Sequence, residues 1–381
     1  MTKKTTLPSQ SILHTASRLA HQFAGWAAET HASGGFPERE MEALREAGLL
    51  HVTLPGEALE MEGGYTLELL QLLKLIGRGN LSLGRIYEGH VNALLLIHLY
   101  AQPAQRERWY DEARAGHLFG VWNTEMDDGI HLYYRPDGSI RVKGSKSFCS
   151  GADRVTRPLI TGYLHQPNNK ISGWQMAVVE LDRHDIPVDP GFWNPLGMQG
   201  SVSYKLDFSR VVLTSDDLLG RPDDYQVQPS FSGGAIRFAA VQLGAAEALF
   251  DATRAFLRRV KRTENTQQQM RLGEMAIAIE SGNLWLDQSA RLTDAGGDTE
   301  RIVTYANMVR TTVKRICTET LQLATQCVGA RGMMHPLPFA RLHTDLIMYL
   351  CQPAPDAVLT SIGSYHAHLE KPVHDLWSRR P

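Results

Sequence analysis

The stretch Phe119 to Val155, FGVWNTEMDDGIHLYYRPDGSIRVKGSKSFCSGADRV, breaks an otherwise helical chain in two. It reads as a block of short strands. Phe119 to Asn123 is an apolar strand ending at Thr124-Glu125, and Asp127-Asp128-Gly129 supplies a bend. His131 to Tyr134 and Ile140 to Lys143 pair across Pro136-Asp137-Gly138, a strong hairpin signal. Lys146 to Cys149 then leads into the small-residue turn Ser150 to Asp153. Thr124 and Ser150 thus sit at strand ends beside the aromatics Trp122 and Phe148. Such an edge suits a flat heterocycle, with rings to stack on and short hydroxyl side chains for its polar rim. An ordinary hairpin domain with strand-end Ser and Thr fits the same residues.

On the N-terminal side the pattern is helical. Ser9 to Thr30 carries Ile12, Ala16, Leu19, Phe23 and Ala27 at helical spacing. Glu38 to Ala47 follows Pro37 and stops at Gly48; Leu50 to Pro55 reads as a short extended piece. Thr66 to Gly77, Leu81 to Leu99 and Ala104 to Ala115 are further helices. On the C-terminal side, Pro158 to Tyr163, Trp174 to Glu180, Ile186 to Val188 and Tyr204 to Val212 extend the β-rich block. Helix returns for good in Ile236 to Val260, Met270 to Thr293, Asp298 to Val328 and Ala354 to His368, as in an up-and-down bundle. The predicted fold is therefore α+β: an all-α N-terminal domain (1–117), a β-barrel-like middle domain (118–225) and a C-terminal four-helix bundle (226–381). The residues ending Ser378-Arg379-Arg380-Pro381 read as a surface tail.

With 381 residues, 43% of them hydrophobic and 21% charged, the chain has the composition of a globular protein of two or three domains. A net charge of −2 gives no case for binding nucleic acid or a membrane surface. No apolar run reaches the roughly 18 residues that a spanning helix needs. The start, Met1 to Thr6, is basic but has no following apolar core, which argues against a signal peptide. The cysteines at 149, 317, 327 and 351 lack CxxC spacing, and the 15 histidines show no HExxH. A cytoplasmic protein with reduced cysteines and no metal is predicted.

Thr124-Glu125, Gly144-x-Lys146-x-Phe148-x-Ser150, Trp193 to Ser201 and Gln326 to Gly332 together resemble motifs of the acyl-CoA dehydrogenase family. Thr124-Glu125 with the turn at Gly129 is similar to that family's T-E-P-x-x-G-S-D, without its proline and Ser-Asp pair. Gly144-x-Lys146-x-Phe148-x-Ser150 resembles its G-x-K-x-W/F-I-T/S strand, and Trp193 to Ser201 its G-M-R-x-T/S loop. Gln326-Cys327-Val328-Gly329-Ala330-Arg331-Gly332 is similar to its Q-x-x-G-G-x-G. Helices, strands, then helices is also the family's order, so the likeness covers nearly the whole chain. It implies FAD as cofactor, with Trp122, Thr124, Gly129, Phe148 and Ser150 at the flavin. It further implies that Arg262, Gln326 and Gly329 hold pyrophosphate or adenosine across a subunit seam, in a homo-oligomer, dimer or homotetramer. Glycines at a helix end let a backbone approach phosphate closely; the plainer role for Gly329 is to end a long helix.

Dehydrogenation of an acyl thioester such as an acyl-CoA needs a carboxylate to remove the α-proton. The family's two positions for that glutamate fall here on Pro353 and Gly234. Asp356 is the nearest substitute, and equally a helix-capping residue. The main expectation is an FAD-dependent oxidoreductase acting on an acyl thioester or related small acyl substrate, with an electron-transfer flavoprotein as partner. The alternative is a flavin-dependent monooxygenase or N-hydroxylase fed by a flavin reductase, with His90 near the reactive centre. A non-catalytic descendant of the fold is the third reading.

Overall fold

The computed structural model describes residues 9–168 and 170–377, so both the Met1 to Thr6 start and the Ser378 to Pro381 end lie outside the described residues. The chain opens with α1 (Ser9–Ser33), α2 (Glu38–Glu46), α3 (Thr66–Gly79), α4 (Leu81–Tyr100) and α5 (Pro103–Arg114). α4 is buried nearly all round, which is why its sequence shows so little polar face. Its start is fixed by Asn80, whose side-chain oxygen accepts from the Leu83 N–H at 3.2 Å. The extended piece expected at Leu50 to Pro55 is a run of turns instead. The Leu54 N–H closes on the His51 carbonyl at 3.0 Å, and the Val52 and Thr53 carbonyls accept from the Leu59 and Met61 N–H groups of the following loop, so turns satisfy the backbone that a strand would otherwise pair.

The strands are β1 (Phe119–Trp122), β2 (His131–Tyr134), β3 (Ile140–Lys143), β4 (Ser145–Cys149), β5 (Arg157–His165), β6 (Ile171–Val178), β7 (Val188–Asp189), β8 (Tyr204–Asp207), β9 (Val212–Leu213) and β10 (Leu218–Leu219). They form a seven-stranded sheet, ordered β10-β6-β5-β2-β3-β9 with β1 parallel to β5, and a three-stranded sheet β4-β8-β7. The predicted hairpin is present, with His131 opposite Lys143 and Tyr134 opposite Ile140. Its turn is tied by Asp137, which accepts from the Ser139 N–H at 2.9 Å.

The C-terminal part comprises α6 (Ser230–Arg259), α7 (Thr266–Ala295), α8 (Thr299–Gly332), α9 (Phe339–Tyr349), α10 (Pro355–Ala367) and α11 (Val373–Leu376). α9 is an addition to the helices expected from sequence; it is short, but Phe339, Leu342, Leu346 and Tyr349 give it one buried face. α6, α7 and α8 pack on one another, and α3 packs on α6. The α3–α6 crossing is close because residue 244 is glycine: a Cβ there would stand 2.0 Å from the Lys74 carbonyl oxygen. Ion pairs Lys74–Glu247 and Arg78–Asp251, both at 2.8 Å, flank the crossing. One apolar core consequently runs from Ile12 through the sheets to Leu350. The architecture is mixed α+β: N-terminal helices, a middle region of two sheets, and C-terminal helices.

Candidate functional site

The end of β1 and the whole of β4 form a ledge. The Trp122 indole N–H donates to the Ser150 carbonyl at 3.0 Å, and the Ser147 N–H donates to the Thr124 carbonyl at 3.0 Å. Four of the predicted residues, Trp122, Thr124, Phe148 and Ser150, are thereby brought to one edge. Trp122 is buried and supports the ledge from below. Thr124 is exposed, and its hydroxyl has no partner among the described residues. Phe148 is 43% exposed and lies in the left-handed region at φ 56°, edge-on to Phe192 and Trp193. A phenylalanine held outward in that conformation is unusual, and it falls where the pairing of β4 with β8 shifts register between Lys146 and Cys149. The Ser150 hydroxyl joins Ser203 at 3.0 Å and through it Ser201 at 2.8 Å, a short chain of hydroxyls behind the ledge.

The Thr124-Glu125 turn is clamped from inside. Lys146, fully buried, donates to Glu125 Oε2 at 2.6 Å and to the Asn123 carbonyl at 3.0 Å, with the Trp174 ring 4.8 Å away. Burial pushes the ammonium pKa down and the Glu125 carboxylate opposes this. Gly129 serves the same clamp, since a Cβ there would overlap Glu125.

Val121, on the same strand, borders a small cavity of about 50 Å³ with Asn92, Gly234 and Arg237. A larger cavity of about 340 Å³ between α3, α4 and the start of α6 shares Leu95, Leu99, Ser230 and Arg237 with it. A polar relay crosses the floor. Arg85 donates to Glu88 at 2.7 Å, Asn92 gives its amide N–H to the same carboxylate, and Arg237 Nε donates to the Asn92 amide oxygen. No carboxylate among the described residues forms an ion pair with Arg237. Burial pulls its pKa down to about 10, partly offset by Glu88, so it stays charged at neutral pH. The buried Tyr349 hydroxyl, near Arg85 and Glu88, has no hydrogen-bond partner among the described residues.

A second cationic group lies beyond the far end of α6. With the buried Gln268 amide turned so that its oxygen faces the two cations, it accepts from Arg262 and Arg271, each at 3.2 Å, and neither arginine has an acidic partner among the described residues. Both reach the field of Cys327, whose thiol pKa is raised by burial against their pull. The predicted Gln326 and Gly329 stand beside that cysteine. Gly329, at φ 60° and ψ −168°, interrupts α8 in a conformation that is essentially glycine's own.

Two expected residues take other roles. His90 is fully buried: its Nδ1 accepts from the Phe119 N–H at 3.0 Å, and its Nε2 faces the Leu50 carbonyl at 2.6 Å, so Nε2 carries the proton and donates. Neither nitrogen is left for a ligand, and burial lowers the pKa to about 4. His90 pins α4 to β1. Asp356 is exposed in the first turn of α10, where its charge suits the helix N-terminus. It borders a different cavity, of about 430 Å³, with Arg310, Lys314 and Arg315, and no ledge residue lines that cavity.

Family models for the acyl-CoA dehydrogenase N-terminal domain and C-terminal domain match residues 9–117 and 225–350. The chain belongs to the acyl-CoA dehydrogenase family. That makes it an oxidoreductase of a flavin-using family. Among its relatives, the probable FMNH2-dependent monooxygenase SfnC of Pseudomonas putida is 26% identical over 78% of this chain and 77% of its own. The dibenzothiophene monooxygenase of Mycolicibacterium goodii is 23% identical over 95% and 94%. FMN-bound TdsC from Paenibacillus sp. A11-2 superposes with a TM-score of 0.86 at 22% identity, over 97% of this chain and all of TdsC.

Both acyl-CoA dehydrogenase positions for the glutamate can now be placed. Pro353 holds its carbonyl to Arg310 at 2.9 Å. At Gly234 a Cβ would stand 3.9 Å from Arg237 Nη2, so a guanidinium faces the position where a base was sought. Among the described residues, no cluster of three His, Cys, Asp or Glu is arranged to hold a metal, and no helix is long and apolar enough to cross a membrane. Arg237 and Arg271 escaped the sequence reading. The signal was faint: Arg85, Glu88 and Asn92 share one face of α4, and Arg237 is a lone cation in the apolar run Ala235 to Leu243.

Proposed function

We propose that this protein is the oxygenase of a two-component flavin monooxygenase system, using reduced FMN delivered by a separate flavin reductase. The observation that carries this is the lack of an acid at both family base positions, with Arg237 turned toward one of them. A guanidinium cannot abstract an α-proton. The names of the relatives SfnC, dibenzothiophene monooxygenase and TdsC support it, and favour FMN over the FAD first implied.

The residues present fit a flavin. Phe148 offers an exposed ring, Thr124 a free hydroxyl and Ser150 a hydroxyl chain at the polar rim. Arg262 and Arg271, without acidic partners, suit a phosphate, and the backbone at Gly329 can approach it closely. Trp122, Gly129 and Lys146 keep the ledge in shape. When bound, reduced flavin supplies two electrons to dioxygen, so that one oxygen atom enters the substrate, the other leaves as water, and the flavin ends oxidised. The chain's own contribution is to position the substrate beside Val121, against the apolar residues of α4 and the start of α6.

The test is a pair of anaerobic experiments on protein loaded with FMN or FAD. Butyryl-CoA and octanoyl-CoA should leave the bound flavin oxidised. After chemical reduction, admitted oxygen should return the oxidised spectrum with a lag that free flavin lacks. Bleaching of the flavin by either thioester would instead make the protein a dehydrogenase.

A further inference from the structure

The cavity behind Val121 is apolar on most sides, through Leu95, Leu96, Leu99 and Phe231, yet one cation is built into it. Arg237 is half-buried there, and its single hydrogen bond among the described residues is spent from Nε on Asn92, which leaves both Nη groups toward the cavity side near Gly233 and Gly234. Asn92 is the reason the charge has no direct acidic partner and feels Glu88 only from beyond the amide. Its amide presents oxygen to Arg237 and nitrogen to Glu88, so the carboxylate is taken up by Arg85 and Asn92 and does not reach Arg237. The floor therefore holds two guanidinium groups and one carboxylate. A fixed cation in low-dielectric surroundings is costly unless an anion arrives to pair with it.

We propose that this cavity and the roughly 340 Å³ one that shares Arg237, Leu95 and Leu99 with it together take a small organic monoanion with an apolar tail, its acid group on the Nη face of Arg237 and its tail along the leucines of α4 into the larger space. The proposal rests on the monooxygenase reading in taking this cavity as the substrate site. Planar guanidinium donors suit a carboxylate, a sulfinate or a sulfonate alike. Three acidic residues also border the larger cavity, Glu60, Glu62 and Asp294. Glu60 accepts from the Gly56 N–H at 2.9 Å, Glu62 pairs with His98 at 3.2 Å, and Asp294 is exposed. They stand at the outer rim and would draw an amine there, which gives the competing ligand class.

Calorimetric titration of the protein, both flavin-free and FMN-loaded, with hexanesulfonate, hexanoate, hexanol and hexylammonium decides it. Either acid should bind at least about ten-fold more tightly than the alcohol and the amine, a comparison that needs no variant. Arg237→Met should weaken the acid by about thirty-fold and leave hexanol within about three-fold, with Arg237→Lys falling between. Hexanol or hexylammonium binding as tightly as both acids overturns the proposal, as does an Arg237→Met protein that holds the acid unchanged. The flavin-free arm separates the two claims. Acid binding through Arg237 in a protein that fails to bind FMN sinks the monooxygenase reading alone, whereas FMN binding without acid binding sinks this one alone.

Discussion

His90 is worth more to the fold neutral than charged. Both of its nitrogens are used, one as acceptor from β1 and one as donor to the Leu50 carbonyl, and protonation would force N–H against N–H at Phe119. Its folded pKa of about 4 lies below the ordinary imidazole value of 6.5, so the unfolded chain binds the proton more readily. Its contribution is therefore fully present above about pH 6.5 and is lost as the pH falls toward 4. Between pH 7.5 and 5 the loss is about 2 kcal/mol from this one group. Urea unfolding at the two pH values should show that loss in the wild type and a flatter profile in His90→Gln, which starts less stable by about 1–3 kcal/mol. Equal slopes for the two proteins would remove His90 from the account. The lesson extends to the site. Thr124, Phe148 and Ser150 were legible because strand alternation and a short turn place them locally. Arg237 was not, because its partner Asn92 lies 145 positions away and only tertiary packing joins them.

At the scale of elements, β4 is held by what its inward side chain grips. Lys146 reaches under the turn that follows β1, and its ammonium grips the residues on either side of Thr124, the Asn123 carbonyl and the Glu125 carboxylate. Lys146→Met keeps the stem and removes the charge, leaving Glu125 unpaired at 22% exposure. The expected cost is about 2–3 kcal/mol of stability, and FMN affinity should fall by about ten-fold or more because the turn carrying Thr124 is freed. Chemical denaturation and fluorescence titration with FMN check the two halves; unchanged FMN affinity would mean that the turn does not touch the cofactor. Elements with their own local instructions were readable beforehand. The Pro136-Asp137-Gly138 hairpin and the long periodic helices are such cases. α9 and the turns at Leu50 to Pro55 were not, since an 11-residue helix and a short apolar run take their conformation from the surfaces they meet.

For the whole molecule the decisive dimension is the length of α6. Its 30 residues span about 45 Å. Arg237 lies near its start, beside Val121 and the ledge, and Arg262 lies just past its end, roughly 35 Å away along the helix. A ring on the ledge and a phosphate on the Arg262–Arg271 pair of the same chain would have to be joined across most of that length, which a mononucleotide cannot do. Two copies related by a two-fold axis would resolve this, each lending its arginine pair to the other's flavin. The prediction is complementation between two disabled proteins. Thr124→Trp blocks the ledge, and Arg262→Gln with Arg271→Gln removes the phosphate anchor; each alone should retain little FMN by equilibrium dialysis. After dissociation and reassociation of an equal mixture, half of the dimers pair one of each kind. In every such dimer one site has both lesions and the other has none, so about a quarter of the wild-type FMN stoichiometry should return. A mixture that binds no more FMN than its components would place ring and phosphate on one chain, and the arginine pair would then need a different anion.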